Sequence, residues 1–482
     1  MTRLETCTVS LVACMLLCLS ARAGEPDWAA AARTDIDAVH ATLRDNHPGP
    51  VDPQNRQFAQ WLEEGRALAL SRAATARTQA DYWRAVRAYT NGFRDGHIWF
   101  GFSGDVREEW PGFLTKRGDD GRTRVVVNEG VPELPLGAEL LSCDGTDVTT
   151  LQQRLVDTYL WNADIPHERD VKSAYLMTSY MGDVERPAAC RFRVGDRDVE
   201  RTLRWSPVPP QQLGDFLDQA LGQARSVLSL RKVDDVWFVS MPTFDLDEKD
   251  LAAMRALLQD IRKKIRVLRE APWVVLDVRG NSGGNSGWGS DIARALYGAT
   301  TVDQIEGQFD WTVDWRASVG NVASLREQAA RARRDGQKED YEYRTKLAAD
   351  MEQAVRDGRD LVRRDWPPRT PAGAVKVTSP FRGKVFLLTD TACASACLDF
   401  ADIARRLPGV VHVGQPTSAD SIYIDNTGMM LPSGQGQLSY SLKVYRNRIR
   451  GNNQWYEPAL KWPGGALTDE SVAAWVKSIA AR

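Results

Sequence analysis

Apolar residues recur every three to four positions through the first hundred residues, and this spacing predicts helices. The segments 36–43 and 82–89 show it most clearly, and the run 46–50 (Asn-His-Pro-Gly-Pro) separates them with residues that break helices. We therefore expect a helical N-terminal region over residues 24–104.

The pattern changes to alternating apolar and polar positions in residues 105–205, which is typical of strands. The segments 124–128, 191–194 and 199–205 alternate in this way, and only 149–155 has helical spacing. A small β-rich domain is predicted for this region.

Continuous apolar runs alternate with amphipathic helices in the remainder, residues 206–482. The runs 236–240 and 273–277 are predicted strands with a helix between them, and the strand 384–390 precedes a helix at 398–407. Strands that alternate with helices indicate an α/β core with a mainly parallel sheet covered by helices.

One segment of this core, residues 318–366, is highly charged, prone to form helices and without a strand signal. We predict a helical insertion packed on the surface. The sequence leaves open whether it arches over a cleft or is a solvated hairpin. Its apolar positions form a thin stripe: Leu325, Ala329, Leu347 and Met351.

The N-terminus predicts an export signal. Residues 9–19 are mostly apolar but too few to span a bilayer comfortably, and the small residues Ala21 and Ala23 form a cleavage site. A buried N-terminal helix is the alternative. Cleavage after residue 23 implies a periplasmic or secreted protein, and no other segment predicts a stable membrane span.

Composition and charge narrow the range of possible binding partners. The net charge is −2, with 43% hydrophobic and 26% charged residues, which is the balance of a soluble globular protein without a nucleic-acid partner. Three of the seven cysteines lie in the leader and would be lost when it is cleaved. The remaining four are Cys143, Cys190, Cys393 and Cys397.

These four cysteines are candidates for disulfides in an exported chain. A bridge between Cys143 and Cys190 fits within the β-rich domain. The spacing of Cys393 and Cys397 allows either a bridge across one turn or two buried thiols. No histidine lies at ligand spacing from them, so neither a metal nor another cofactor is expected.

Three segments carry candidate chemistry. Ser395 falls at the junction of a strand and a helix, where a hydroxyl is exposed and free N–H groups can stabilise an oxyanion, although a helix-capping serine is the alternative. His97 follows an Asp-Gly turn and is the candidate base, with a structural histidine as the alternative. The glycine-rich run 277–284 follows a predicted strand and lacks the spacing of a phosphate-binding loop.

Taken in order, these motifs resemble the C-terminal processing and tricorn-type family of serine peptidases, which includes the tail-specific proteases. Segment 140–145 also resembles the PDZ-like module often found in this family. The matching segments are 95–97, 237–244, 275–284, 391–396, and 456–457 with Pro463 six positions after the glutamate.

The family has two branches with different bases. In one, a lysine lies 25 positions after the nucleophile, which is position 420 in this chain and is occupied by Asp420. The resemblance therefore favours the branch that uses serine, histidine and glutamate. It implies Ser395 as nucleophile, His97 as base and Glu457 as the group that orients the histidine, although the residues after Glu457 depart from the family pattern.

The same resemblance implies an oxyanion site formed by the N–H of Ala396 and that of Gly283 or Gly284. It also implies a core of the ClpP/crotonase type, a PDZ-like module at 105–205, and peptide or protein substrates. The alternatives are an inactive peptide-binding homologue and an esterase or amidase acting on small substrates. The sequence leaves the oligomeric state open.

Overall fold

The computed structural model describes residues 26–103, 108–160, 162–179, 186–222, 226–365 and 378–480. The expected leader, residues 1–23, lies outside the described residues. The described helices are α1 (Trp28–Asn46), α2 (Arg56–Ala73), α3 (Gln79–Asn91), α4 (Val148–Gln152), α5 (Pro166–Lys172), α6 (Pro210–Leu221), α7 (Glu248–Glu270), α8 (Gly287–Tyr297), α9 (Ala299–Glu306), α10 (Val319–Arg334), α11 (Lys338–Arg356), α12 (Ala396–Ala404) and α13 (Asp469–Ala480). The described strands are β1 (Trp99–Phe102), β2 (Glu109–Trp110), β3 (Phe113–Arg117), β4 (Thr123–Asn128), β5 (Glu139–Cys143), β6 (Thr146–Asp147), β7 (Ala189–Val194), β8 (Arg197–Thr202), β9 (Ser206–Pro207), β10 (Ser229–Val233), β11 (Val236–Ser240), β12 (Trp273–Asp277), β13 (Thr312–Arg316), β14 (Leu361–Asp365), β15 (Lys384–Thr389), β16 (Val410–Gly414), β17 (Tyr423–Met430), β18 (Gly436–Arg446) and β19 (Leu460–Lys461).

The N-terminal region is helical as its spacing predicted. Asp27 caps α1 by accepting from the N–H of Ala30, and Thr78 and Asp81 form a capping box at the start of α3. Helix α1 ends at Asn46 because the following residues, including Pro48, do not continue the helix.

An antiparallel sheet joins this region to the C-terminal half. It has the order β1-β18-β13-β14, and β17 pairs with β18 as well. Strand β1 follows α3 directly, and its partner β18 lies more than three hundred residues later. Their pairing brings the N-terminal region and the C-terminal half together, and the two share a single hydrophobic core around this sheet.

The charged insertion belongs to the same core. Helices α10 and α11 bury Leu325, Leu347 and Met351, which are at most 1% exposed. The end of the insertion forms a strand, β14, which pairs antiparallel with β13. This corrects the sequence-based expectation of no strand in the segment. Tertiary pairing overrides the weak local signal there, since Arg363 of β14 binds Asp314 of β13.

The β-rich unit contains an antiparallel sheet with the order β3-β4-β5-β7-β8. Cys143 and Cys190 lie directly opposite each other on β5 and β7 and form a disulfide, with Cα atoms 4.0 Å apart. Helix α6 packs on this unit through Leu213 and Leu217, so the unit extends beyond the expected boundary at residue 205.

A six-stranded sheet forms the other half of the structure, in the order β10-β11-β12-β15-β16-β19. The pairs from β11 through β19 are parallel, and β10 is antiparallel at one edge. One face packs against a cluster that includes residues of α7, α8 and α12, and the other packs against α13. The carboxyl ends of the neighbouring strands β12 and β15 meet at one edge, and that edge positions the candidate site.

None of the helices in the described ranges is long and apolar enough to cross a bilayer.

Candidate active site

Ser395 stands at the turn from β15 into α12 in a strained backbone conformation. Its φ of 52° and ψ of −121° lie in a region that residues other than glycine rarely adopt. Its side chain makes no helix-capping hydrogen bond, so the capping alternative does not describe this serine. The turn instead leaves the hydroxyl free to face a partner.

That partner is His97. Its Nε2 lies 3.4 Å from Ser395 Oγ, although the two residues are 298 positions apart. His97 lies just before β1, and Ile98 and Phe100 are buried in the hydrophobic core. Because alternate residues of an extended chain point to opposite sides, His97 points away from that core and faces the serine. The structure thus brings together two of the three expected catalytic side chains.

Two buried aspartates face the other ring nitrogen of this histidine. Asp420 Oδ1 lies 3.3 Å from His97 Nδ1, and Asp95 Oδ1 lies 3.7 Å from it. Asp95 also accepts the backbone N–H of His97 at 2.9 Å and the hydroxyl hydrogen of Ser421. Asp95 therefore fixes the turn, whereas Asp420 is the nearer carboxylate to the ring.

His47 supports Asp95 from behind. The N–H of Gly49 donates to His47 Nδ1, so the ring proton is on Nε2, which lies 3.4 Å from Asp95 Oδ2. Burial lowers the pKa of His47. Burial also opposes ionisation of Asp95, but the nearby imidazoles of His47 and His97 hold the pKa of its carboxyl below the usual value.

Glu457, the third expected catalytic residue, contacts other side chains in the structure. Its carboxylate accepts from the indole N–H of Trp455 at 2.9 Å and lies 3.0 Å from Lys461 Nζ. The segment after Tyr456 runs along the edge of the parallel sheet towards β19, and the Glu457 side chain is half exposed there. Its described contacts do not include His97.

The candidate oxyanion donors are the N–H groups of Gly283, Gly284 and Ala396. Gly283 packs so closely against Ser395 that a Cβ there would lie 2.7 Å from Ser395 Cβ, but its N–H already donates to Asn281 Oδ1 at 3.0 Å. The N–H groups of Gly284 and Ala396 have no acceptor within the described part of the chain. These two N–H groups therefore remain available to an acceptor.

The cysteines beside the nucleophile form a disulfide, Cys393–Cys397, with Cα atoms 5.3 Å apart. Both residues are fully buried under the turn that carries Ser395. Of the two forms that the sequence allowed, the structure has the bridge across one turn.

Sequence reasoning did not assign a role to Asp420. Position 420 is where the other branch of the resembling family has its lysine, and this correspondence gives no role to a carboxylate. Asp95 enters the sequence analysis only as part of the 95–97 motif, and His47 only as part of the helix-breaking run 46–50. The remaining histidines lie apart from Ser395: His412 Nε2 is 2.8 Å from Thr389 Oγ1, and burial lowers the pKa of His412 to about 4.

Asp390 connects the glycine-rich loop to the loop of the nucleophile. Its carboxylate accepts the N–H of Gly280 at 2.8 Å and that of Ala392 at 3.0 Å. Burial raises the pKa of Asp390 to about 6, although both hydrogen bonds oppose the shift. The protonated form is thus favoured in the folded protein relative to the unfolded chain.

This shift predicts a pH-dependent difference between the parent and Asp390→Asn, which cannot ionise. Because the pKa of Asp390 is raised in the folded state, the protonated carboxyl adds to the free energy of unfolding of the parent below pH 4. This contribution is lost as the pH rises through 6. The parent's stability relative to the variant is expected to fall by up to roughly 3 kcal/mol over this interval. Thermal unfolding of both proteins between pH 4 and 7 measures it, and parallel profiles would contradict the prediction.

A serine and a histidine lie in contact at the carboxyl edge of a sheet, an arrangement that is typical of serine hydrolases. Residues 235–454 match the model of peptidase family S41, and this match supports a serine peptidase. The match confirms the resemblance drawn from the motifs. It contains Ser395 and Asp420 and excludes both His97 and Glu457.

Solved structures show the same fold at low sequence identity. Mature CPAF has a TM-score of 0.62 and 13% identity, covering 94% of this chain and 97% of that chain. Mature CPAF complexed with lactacystin has a TM-score of 0.59 and 14% identity, covering 94% and 98%. No curated protein matches the chain in sequence.

Proposed function

We propose that this chain is an exported serine endopeptidase that hydrolyses peptide bonds through an acyl-enzyme, with Ser395 as nucleophile and His97 as base. The observation that carries the proposal is the 3.4 Å approach of His97 Nε2 to Ser395 Oγ within a chain whose residues 235–454 match a peptidase family. A distance at the long end of hydrogen-bond range is common before substrate binds.

The chemistry follows from the positions of these groups. Ser395 Oγ attacks the peptide carbonyl while His97 Nε2 takes its proton, and the N–H groups of Gly284 and Ala396 stabilise the oxyanion. The imidazolium then protonates the leaving amine as the C–N bond breaks, and the acyl group remains as an ester on Ser395. Water, deprotonated by the same imidazole, attacks the ester; the bond to Ser395 Oγ breaks, the carboxylic acid product leaves, and the imidazolium returns the proton to Oγ.

We assign the positioning of His97 to Asp420 rather than to Glu457. A carboxylate 3.3 Å from Nδ1 favours the tautomer with its proton on Nδ1, so Nε2 is free to accept the proton of Ser395. Asp420 is 4% exposed, so solvent screens its charge only weakly. Glu457, which binds Trp455 and Lys461, has no such contact.

The proposed organisation keeps the expected regions. Residues 24–104 supply the base, 105–205 form a PDZ-like module that engages extended peptides by strand addition, and 206–482 form a core of the ClpP/crotonase type. The antiparallel sheet of the β-rich unit supports the second assignment, and the parallel pairs of the six-stranded sheet support the third. Peptides or proteins are the proposed substrates.

Export is proposed from the leader and is supported by the cysteines. Both pairs in the described chain are disulfides, and disulfides persist in oxidising compartments such as the periplasm or the extracellular space.

Labelling of the purified mature protein with a fluorophosphonate probe tests the proposal. We expect a covalent adduct on the peptide that contains Ser395, found by mass spectrometry, together with cleavage of casein. Ser395→Ala is the control, and it must neither label nor cleave. A folded parent that stays unlabelled and leaves casein intact would favour the peptide-binding alternative, whereas labelling without cleavage of casein would favour the small-substrate esterase.

A further inference from the structure

A helix of the β-rich unit contacts the loop that carries Asp420. Helix α5 points Glu168 at this loop, where the hydroxyl of Ser418 and the N–H of Ala419 both donate to Glu168 Oε1, the latter at 3.2 Å. The next residue along the chain is Asp420, whose carboxylate lies 3.3 Å from His97. Glu168 is 6% exposed, so the contact is made in the interior.

The opposite side of the loop is held by a different segment. The N–H of Thr417 donates to the carbonyl of Tyr456 at 3.0 Å, and the N–H of Tyr456 returns a bond to Thr417 Oγ1 at 2.9 Å. The N–H of Asn453 donates to the carbonyl of Asp420 at 2.9 Å. Residues 417–420 are thus clamped between residues 453–456 and Glu168.

The two residues that follow Glu168 on α5 behave differently. Arg169 binds Asp157 at 2.8 Å, and Asp170 binds Arg117, so both pair within the β-rich unit. Glu168 alone of these three reaches the loop. A buried carboxylate is costly unless hydrogen bonds compensate, and the loop supplies two of them. Burial raises the pKa of the Glu168 carboxyl, and the bonds from Ser418 and Ala419 oppose the rise.

We propose that Glu168 is a positioning residue of the peptidase, which holds Ser418 and Ala419 so that Asp420 faces His97. The proposal rests on the proposed function of the site. It makes the catalytic geometry depend on how the β-rich unit is seated, because a shift of α5 would release one side of the loop. Small displacements of a catalytic group are expensive, and about 1 Å can cost roughly 100-fold in rate.

Three variants test this role. Glu168→Ala removes the acceptor of both hydrogen bonds, whereas Glu168→Gln keeps an oxygen at the same place. Asp157→Ala is the matched control, since Asp157 is equally buried at 6% and binds Arg169 without touching the loop. A fluorogenic peptide is made with the sequence of a site that the parent cleaves in casein. Steady-state kinetics on this peptide separate kcat from KM. Hydrogen exchange of residues 415–420 reports on the loop independently of activity.

We expect Glu168→Ala to lower kcat by about 10- to 100-fold with KM changed less than about twofold, because Glu168 acts through Asp420 and not on the substrate. Exchange at 415–420 should accelerate in this variant. Glu168→Gln should restore most of kcat, and Asp157→Ala should match the parent in both readouts.

Failure of this proposal differs from failure of the proposed function. A parent that neither labels nor cleaves refutes the peptidase, while the exchange measurement still reports whether Glu168 orders the loop. An active parent whose kcat is unchanged by Glu168→Ala would overturn the positioning role. So would unchanged exchange at 415–420, absence of rescue by Glu168→Gln, or an equal loss in Asp157→Ala.

Discussion

Replacement of His97 by alanine is expected to lower the rate of peptide hydrolysis about 10,000-fold. The imidazole is the base 3.4 Å from Ser395 Oγ, and without it the serine must lose its proton to water. His97 is 8% exposed at the rim of the buried region, so we expect the fold to survive the change. Steady-state cleavage of casein and the rate of fluorophosphonate labelling measure the effect.

His40→Ala is the matched control. This histidine also belongs to the N-terminal region, but its Nε2 lies 2.9 Å from Glu63. Its loss should leave both rates unchanged. If folded His97→Ala kept activity within about tenfold of the parent, His97 would not be the base, because general-base catalysis by one residue contributes about 100- to 10,000-fold.

The local elements of the fold could be predicted from the sequence because their patterns are local. The spacing in α1 and α3, and the apolar runs of β12 and β15, identify helices and buried strands without tertiary information. The antiparallel sheet could not be predicted in this way. Its strands β1 and β18 are far apart along the chain, and β14 is so rich in charge that only its pairing with β13 makes it a strand.

The candidate site likewise contains residues that local sequence patterns identify and a residue that they do not. Ser395 and the glycines at 283–284 could be found from sequence because each follows a recognisable strand, and His97 because its motif is short and contiguous. The carboxylate that approaches His97 could not be identified, since this depends on which of two loops turns inward. Asp420 turns inward because Glu168 and Asn453 hold its loop, and those contacts have no local sequence signal.

The surroundings of Asp420 show why it can remain buried beside the catalytic histidine. Its Oδ2 lies 3.5 Å from both Arg448 Nη1 and Arg450 Nη1. The same two arginines contact Asp399 in the first turn of α12, four residues after Ser395. Because opposite charges offset the cost of burial, this network holds the carboxylate in place next to the helix that carries the nucleophile.

Asp420→Asn is therefore expected to lower kcat by about 100- to 1,000-fold. The amide has no negative charge to stabilise the imidazolium that forms when Ser395 attacks, and it does not favour the productive tautomer. The expected loss is smaller than for an aligned carboxylate, because the 3.3 Å contact with His97 Nδ1 is out of line for a hydrogen bond. The rate of fluorophosphonate labelling should fall in parallel, since it depends on the same proton transfer.

Glu457→Gln is the discriminating control, because it makes the same change from carboxylate to amide at the residue that the family resemblance favoured. Glu457 is half exposed and bound to Trp455 and Lys461, so we expect kcat within about threefold of the parent. The reverse result, a large loss for Glu457→Gln and little for Asp420→Asn, would mean that the loop of residues 453–461 moves to bring Glu457 to His97 when substrate binds. Circular dichroism of both variants must match the parent, because Asp420→Asn leaves Arg448 and Arg450 with less compensation for their buried charge.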